Sequence, residues 1–196
     1  MDTNDNAPQF DHQVYAVNIT ENSPIGTLVL KLNATDLDDG PNAEIIYSFT
    51  LYTSEKTQEI FTLNKHTGEI KVNDMIDFEE IKILEMHIQA KDQGHYPLSG
   101  QCTVMVYVAD LNDNYPEITV KSLRSTVKEN VPIGTVIALV GTSDRDSEDN
   151  GKVDLSINKQ LPFVLNKSSE SDFELVVSQS LDRETYTQEY GFDRDE

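Results

Sequence analysis

Apolar residues along much of this chain recur at every second position, the period of a strand with one buried face. Leu28, Leu30, Leu32 and Ala34 fall on one side, opposite Val29, Lys31, Asn33 and Thr35. Leu84, Met86, Ile88 and Ala90 alternate with Glu85, His87, Gln89 and Lys91. Cys102, Val104, Val106 and Val108 alternate with Thr103, Met105, Tyr107 and Ala109. The stretch from Phe78 to Met86 contains good helix formers, yet alternation fits it better from Leu84 onward. Pro24-Ile25-Gly26, Asp39-Gly40-Pro41-Asn42 and His66-Thr67-Gly68 supply turns between the runs. Toward the C-terminus, Val136, Ala138, Val140, Phe173, Leu175 and Val177 are expected on inward faces. Ile137 and Leu139 then face outward, and two readings stay open for them: a buried alternative register or an exposed apolar pair suited to a contact. Short strands with regular turn signals predict an antiparallel β-sandwich.

The pattern occurs twice. Asp2-Thr3-Asn4-Asp5-Asn6-Ala7-Pro8 returns as Asp110-Leu111-Asn112-Asp113-Asn114-Tyr115-Pro116, at an offset of 108. The same offset relates Glu21-Asn22-Ser23-Pro24-Ile25-Gly26 to Glu129-Asn130-Val131-Pro132-Ile133-Gly134. It also relates Asp36-Leu37-Asp38 to Asp144-Arg145-Asp146, and Asn42 to Asn150. Asp77-Phe78-Glu79 matches Asp182-Arg183-Glu184 at an offset of 105. Four landmarks in one order define two copies of a module. The first runs from about Asn6 to Asn114, and the second stops about a dozen residues after Glu184. The second copy therefore reads as truncated. Residues 6 to 114 are expected to fold alone, and residues 117 to 196 to be marginal.

Composition narrows the function. The 196 residues carry 15 Lys and Arg against 35 Asp and Glu, a formal charge of -20. That charge excludes binding by phosphate neutralisation and opposes attachment to anionic membrane surfaces. No apolar run approaches the ~18 residues of a membrane span. No signal-peptide pattern follows Met1. A single cysteine excludes an intrachain disulfide framework, and Cys102 lies on the face of Val104 and Val106 as a small buried hydrophobe. His12, His66, His87 and His95 are scattered and read as surface polar residues. No Gly-x-Ser-x-Gly, His-Glu-x-x-His or phosphate loop is present, so an enzyme is not expected.

The carboxylates concentrate at strand ends and between the copies. Asp110, Asn112, Asp113 and Asn114 place two carboxylates and two amides within five residues. In extended chain Asp110, Asn112 and Asn114 point one way and Asp113 the other. Such a set suits a hard cation, and calcium accepts six to eight oxygens in flexible geometry. Zinc spacing is missing. Asp146-Ser147-Glu148-Asp149-Asn150-Gly151 imitates the start of an EF-hand, but its twelfth position is Ile157 where a glutamate is required. Asn18-Ile19-Thr20, Asn33-Ala34-Thr35 and Asn166-Lys167-Ser168 are glycosylation sequons. Alternation turns Asn33 away from the Leu28-Leu30-Leu32 face.

Glu21-Asn22 before Pro-Ile-Gly, Asp36-x-Asp38, Asp77-x-Glu79, Ala90-x-Asp92-x-Gly94 and Asp110-x-Asn112-Asp113-Asn114 together resemble the calcium signature of a cadherin repeat. The resemblance covers nearly the whole chain. Ile46-Tyr47-Ser48-Phe49, His87 to Gly94 and Gly134 to Leu139 resemble clustered protocadherins of the alpha type, and the pair resembles their repeats three and four. The fold so implied is all-β, with tandem Ig-like Greek-key β-sandwiches. Residues 1–6 would end a preceding repeat's calcium linker, 7–114 would form a complete repeat, and 115–196 a repeat lacking its last strands.

The resemblance also implies ligands for up to three Ca²⁺ where the copies join. Glu21, Asp77, Glu79, Asp110, Asp113 and Asn112, with the carbonyls of Leu111 and Asn114, would come from the first module. Asp144, Asp146 and the Asn150 carbonyl would come from the second. The third ion lacks the second module's Ala-x-Asp-x-Gly aspartate. Asp2, Asn4, Asp5, Asp36, Asp38 and Asp92 would form half a site at one end, and Glu129, Asp182 and Glu184 half a site at the other. Seven carboxylates (Glu21, Asp77, Glu79, Asp110, Asp113, Asp144 and Asp146) would face the six charges of three calcium ions. Neighbouring carboxylates ~4 Å apart repel by roughly 4 kcal/mol at an effective dielectric near 20, so metal would stiffen what repulsion splays.

The implied function is calcium-dependent homophilic adhesion with an identical or related cadherin on an apposed cell. The parent would be a single-pass plasma-membrane protein displayed extracellularly, with no nucleic-acid partner. The rival readings are a calcium-stiffened spacer or a soluble decoy, and more distantly a metal-dependent hydrolase.

Overall fold

The computed structural model describes residues 2–182. The chain divides into two compact units, Met1–Leu111 and Asn112–Glu196.

In the first unit the alternating runs become strands β1 (Gln9–Phe10), β2 (Val14–Thr20), β3 (Leu28–Lys31), β4 (Ala34–Thr35), β5 (Ile46–Phe49), β6 (Phe61–Leu63), β7 (Glu69–Val72), β8 (Ile83–Lys91) and β9 (Ser99–Ala109). One sheet has the order β2-β9-β8-β5, a second β3-β7-β6, and β1 pairs with β4. The inward residues of β8 and β9 are those the alternation selected: Leu84, Met86, Ile88, Ala90, Cys102, Val104, Val106 and Val108 are all buried. They pack with Leu32, Ile60, Phe61, Ile70 and Val72 into one core. A short helix, α1 (Glu55–Ile60), closes one side. Ser54 caps it by accepting the Thr57 N–H at 3.1 Å, and Thr57 and Ile60 turn inward.

Two features depart from strict alternation. The register of β3 on β7 shifts between Leu28 and Leu30. A bulge of this kind moves side chains to the other face. Leu28 is therefore exposed while Val29 packs against the core. In addition, β2 runs parallel to β9, pairing Val14 with Thr103 through Thr20 with Ala109, so the sandwich is not wholly antiparallel.

The second unit contains β10 (Glu117–Leu123), β11 (Val136–Ser143), β12 (Phe163–Lys167) and β13 (Asp172–Val177), in the antiparallel order β10-β11-β13-β12. Another shift, between Val136 and Ala138, separates the expected faces. Ile137 and Ala138 are both buried, Val136 and Leu139 both exposed, and Val140 and Leu175 half-buried. The supposed outward pair is thus split, Ile137 going in and Leu139 out. Phe173, Val176 and Val177 complete the buried apolar set. The shared Pro-Ile-Gly turn has one geometry in both units: Gly26 and Gly134 take φ of 90° and 89°, which favours glycine at both.

Candidate metal centres

In the first unit, Glu21 follows β2 and is buried. Its Oε1 accepts the Leu111 N–H at 2.6 Å and its Oε2 the Phe78 N–H at 2.8 Å. Its carboxylate thereby ties the loop carrying Asp77 and Glu79 to the segment that follows β9. Asp77 Oδ1 accepts the N–H groups of Glu79 (3.0 Å) and Glu80 (3.3 Å), a local turn that the Asp-x-Glu spacing permits. Glu21, Asp77 and Glu79 each offer a carboxylate oxygen, all within 4.8 Å of one another. Burial pushes the Glu79 carboxyl above its ordinary range, and the adjoining Asp77 and Glu21 carboxylates push it further. Its Oε1 is buried and accepts no hydrogen bond. Asp110 stands half-buried just after β9.

The opposite end of the same unit is a second oxygen-rich centre. Buried Asp92 accepts the Gly94 N–H on Oδ1 at 2.9 Å and the Leu98 N–H on Oδ2 at 2.8 Å. Asn4 donates to Asp92 Oδ1 at 3.1 Å and to the Tyr96 carbonyl at 2.9 Å, which leaves its own buried Oδ1 without a donor. Asp36 Oδ1 accepts the Asp38 N–H at 3.0 Å, while its buried Oδ2 accepts nothing. Asp2 Oδ2 accepts the Asp39 N–H at 2.9 Å and the Asn42 amide at 3.2 Å, and these bonds hold its carboxyl below the usual range. A Cβ at Gly94 would lie 2.4 Å from Asn4 Nδ2 and 2.7 Å from Asn42 Oδ1, so glycine is required there by space.

The second unit repeats this construction. The Asn114 amide donates to Asp146 Oδ1 at 2.6 Å and to Asp113 Oδ1 at 3.0 Å, and its N–H donates to Asp146 Oδ1 at 3.2 Å. In the first unit the Asn6 amide donates to Asp38 Oδ1 at 2.6 Å and to Asp5 Oδ1 at 3.0 Å, and its N–H to Asp38 Oδ2 at 3.1 Å. Asp144 Oδ1 accepts the Asp146 N–H at 3.0 Å, as Asp36 does for Asp38. Asn150 is half-buried in a turn closed by its N–H to the Ser147 carbonyl. Asn112 and Asp113 are exposed.

A buried oxygen acceptor left without a donor costs free energy unless a cation or water meets it. Here Glu79, Asp36 and Asn4 each hold such an atom, and the Glu21 and Asp77 groups that cluster with Glu79 offer carboxylate oxygen rather than sulfur or imidazole. That donor set fits a hard, oxygen-seeking divalent ion. The expected half-site of Glu129, Asp182 and Glu184 is different. Glu129 and Asp182 are exposed, and Glu184 lies outside the described residues. Sequence reasoning overlooked Asn6 as a partner of Asp38, although its repeat equivalent Asn114 was chosen; the offset of 108 alone would have found it. Asn18, Asn33 and Asn166 are all exposed.

A cadherin-domain family profile matches residues 15–109. The chain is 46% identical over 185 residues to mouse protocadherin alpha-10, covering 94% of this chain and 20% of that protein. It is 48% identical over 184 residues to human protocadherin gamma-C5, covering 94% and 19%. Alpha- and gamma-type relatives thus match alike, and the chain spans about a fifth of their length. Among solved structures, the protocadherin gamma B2 extracellular cadherin domains 1–5 superpose with a TM-score of 0.89 at 42% identity, over 95% of this chain and 35% of that one. Domains 21–23 of human CDH23 give 0.80 at 29% identity, over 94% and 57%. With the repeated oxygen centres in both units, these likenesses place the chain in the cadherin superfamily, as cadherin repeats of the protocadherin type.

Proposed function

We propose that this chain is an extracellular segment of a calcium-dependent, homophilic cell-adhesion protein held in the plasma membrane by its parent. The observation carrying the calcium reading is the buried Glu79 Oε1, which lacks a hydrogen-bond donor while two more carboxylates stand within 4.8 Å. Repulsion among such groups favours a divalent cation over an empty site. The ligands we assign are Glu21, Asp77, Glu79, Asp110, Asn112, Asp113, Asp144 and Asp146 through side chains, and Leu111, Asn114 and Asn150 through carbonyls. Up to three Ca²⁺ would draw on both modules and stiffen the chain between them. Domain limits of 7–114 and 115–196 are part of this proposal. Among the described residues no helix is long and apolar enough to cross a membrane.

Beads coated with the chain test the recognition step. Aggregation in calcium between matched beads, lost in chelator and absent with mismatched modules, is the expected result. Beads that bind calcium yet never aggregate would leave a stiffened spacer or decoy instead. Parallel assays for hydrolysis of ester and phosphate substrates should show no turnover.

A further inference from the structure

The outward face of the β2-β9-β8 sheet carries an apolar strip with a sequon inside it. Register places Asn18 beside Tyr107, and Tyr107 beside Ile83, in one row across three strands. The next row is Ala16, Met105 and Glu85, and the one after is Val14, Thr103 and His87. Residues paired across a sheet share a face, and the inward neighbours Ile19, Val108 and Leu84 are buried, so this row points to solvent. Ile83, Tyr107 and Val14 remain 52%, 42% and 61% exposed. Asn18 and Thr20 lie two residues apart on the same strand, so amide and hydroxyl emerge together from that face.

We propose that Asn18 carries an N-linked glycan that covers the Tyr107–Ile83 row and closes this sheet face to protein contact. In forming the link, the Asn18 amide nitrogen attacks C1 of the first sugar of a lipid diphosphate-linked oligosaccharide. The N–C1 bond forms, the C1–O bond to the lipid diphosphate breaks, and the amide proton passes to a base of the transferase. The step needs no oxidant or reductant. A strand poses no obstacle, because the transfer acts on extended chain before the sheet closes. Once in place, a bulky hydrated sugar beside an aromatic ring covers apolar surface that strand pairing leaves open. The inference rests on the extracellular placement alone and needs neither calcium binding nor homophilic recognition.

The test uses the whole chain secreted from mammalian cells, kept in calcium. Glycopeptide mass spectrometry reads occupancy at Asn18. Hydroxyl-radical labelling is then compared between this protein, the same sample after amidase deglycosylation, and Thr20→Ala, which removes the sequon but keeps Asn18. Tyr107 and Met105 should be labelled at least about threefold less with the bulky glycan in place, while exposed Tyr96 and Tyr115 change little. Unmodified Asn18, or equal labelling of Tyr107 with and without sugar, would overturn the proposal. Misfolding of Thr20→Ala would leave the enzymatic comparison to decide.

Discussion

The two units hold their polar ends in the same way but differ in what lies behind them. Asn6 grips Asp38 and Asn114 grips Asp146 through the same bonds, each with a 2.6 Å amide contact. Behind the first grip, seventeen buried apolar side chains form one core. Among the described residues of the second unit, five hydrophobic side chains other than proline are buried: Ile137, Ala138, Phe173, Val176 and Val177. Strand β10 is exposed at every position. The acidic loops are thus set by short-range turns, in which carboxylates accept N–H groups two residues ahead, and need little from the core. Stability and chemistry are written in separate parts of the module.

The largest expected difference between the units is in their cores. Phe61→Ala should destabilise the first unit by about 3–5 kcal/mol, because the vacated space is walled by packed strands. Phe173→Ala should cost less, since fewer buried neighbours surround it. Urea titration read by amide exchange in β8 and β13 separates the two. Equal losses would mean that the second core is as tight as the first.

Local opening should differ next. Amides of β10 are expected to exchange on the order of a hundredfold faster than those of β9, which is flanked by strands on both sides. Comparable protection in the two strands would refute the marginal second unit expected from sequence.

The second unit also shows where sequence reasoning reached its limit. Alternation identified the inward residues of β8 and β9 because those strands run without a bulge. It misplaced Leu28 and Val136 because one inserted residue reverses the face, and a bulge leaves no fixed composition behind it. The parallel β2–β9 pairing is a long-range choice that period two cannot encode. Helix α1 went unassigned, its six residues being too short for a helical period. The carboxylate centres join residues far apart in the chain, Glu21 with Asp77 and Glu79, Asn4 with Asp92 and Asn6 with Asp38, but each contributor sits in a short acidic motif that can be read locally. Asn6 was lost although the repeat aligns it with Asn114, because the role given to Asn114 was not carried across that alignment.

A smaller effect concerns shape. If calcium neutralises carboxylates contributed by both units, small-angle scattering should give a longer, narrower distribution in calcium than in chelator. Identical profiles would remove the stiffening role and leave the two ends as independent sites.

The smallest effect is at Cys102, which is buried and whose thiol burial pushes up to about 12. The thiolate is the reactive form, so alkylation at pH 8 should be negligible until the first unit unfolds. Labelling of the native chain at the rate of a free thiol would show that β9 opens far more readily than its packing implies.

Calcium titration by calorimetry, on the parent chain and on Glu79→Ala, Asp144→Ala and Asp182→Ala, tests the central claim most directly. Removing a carboxylate ligand from the Glu79 or Asp144 centre should weaken binding by roughly 10–100-fold, since charge count tunes calcium affinity. Asp182→Ala, at an exposed position, should leave it nearly unchanged. Equal losses in all three variants, or no calcium heat in the parent chain, would contradict the assignment.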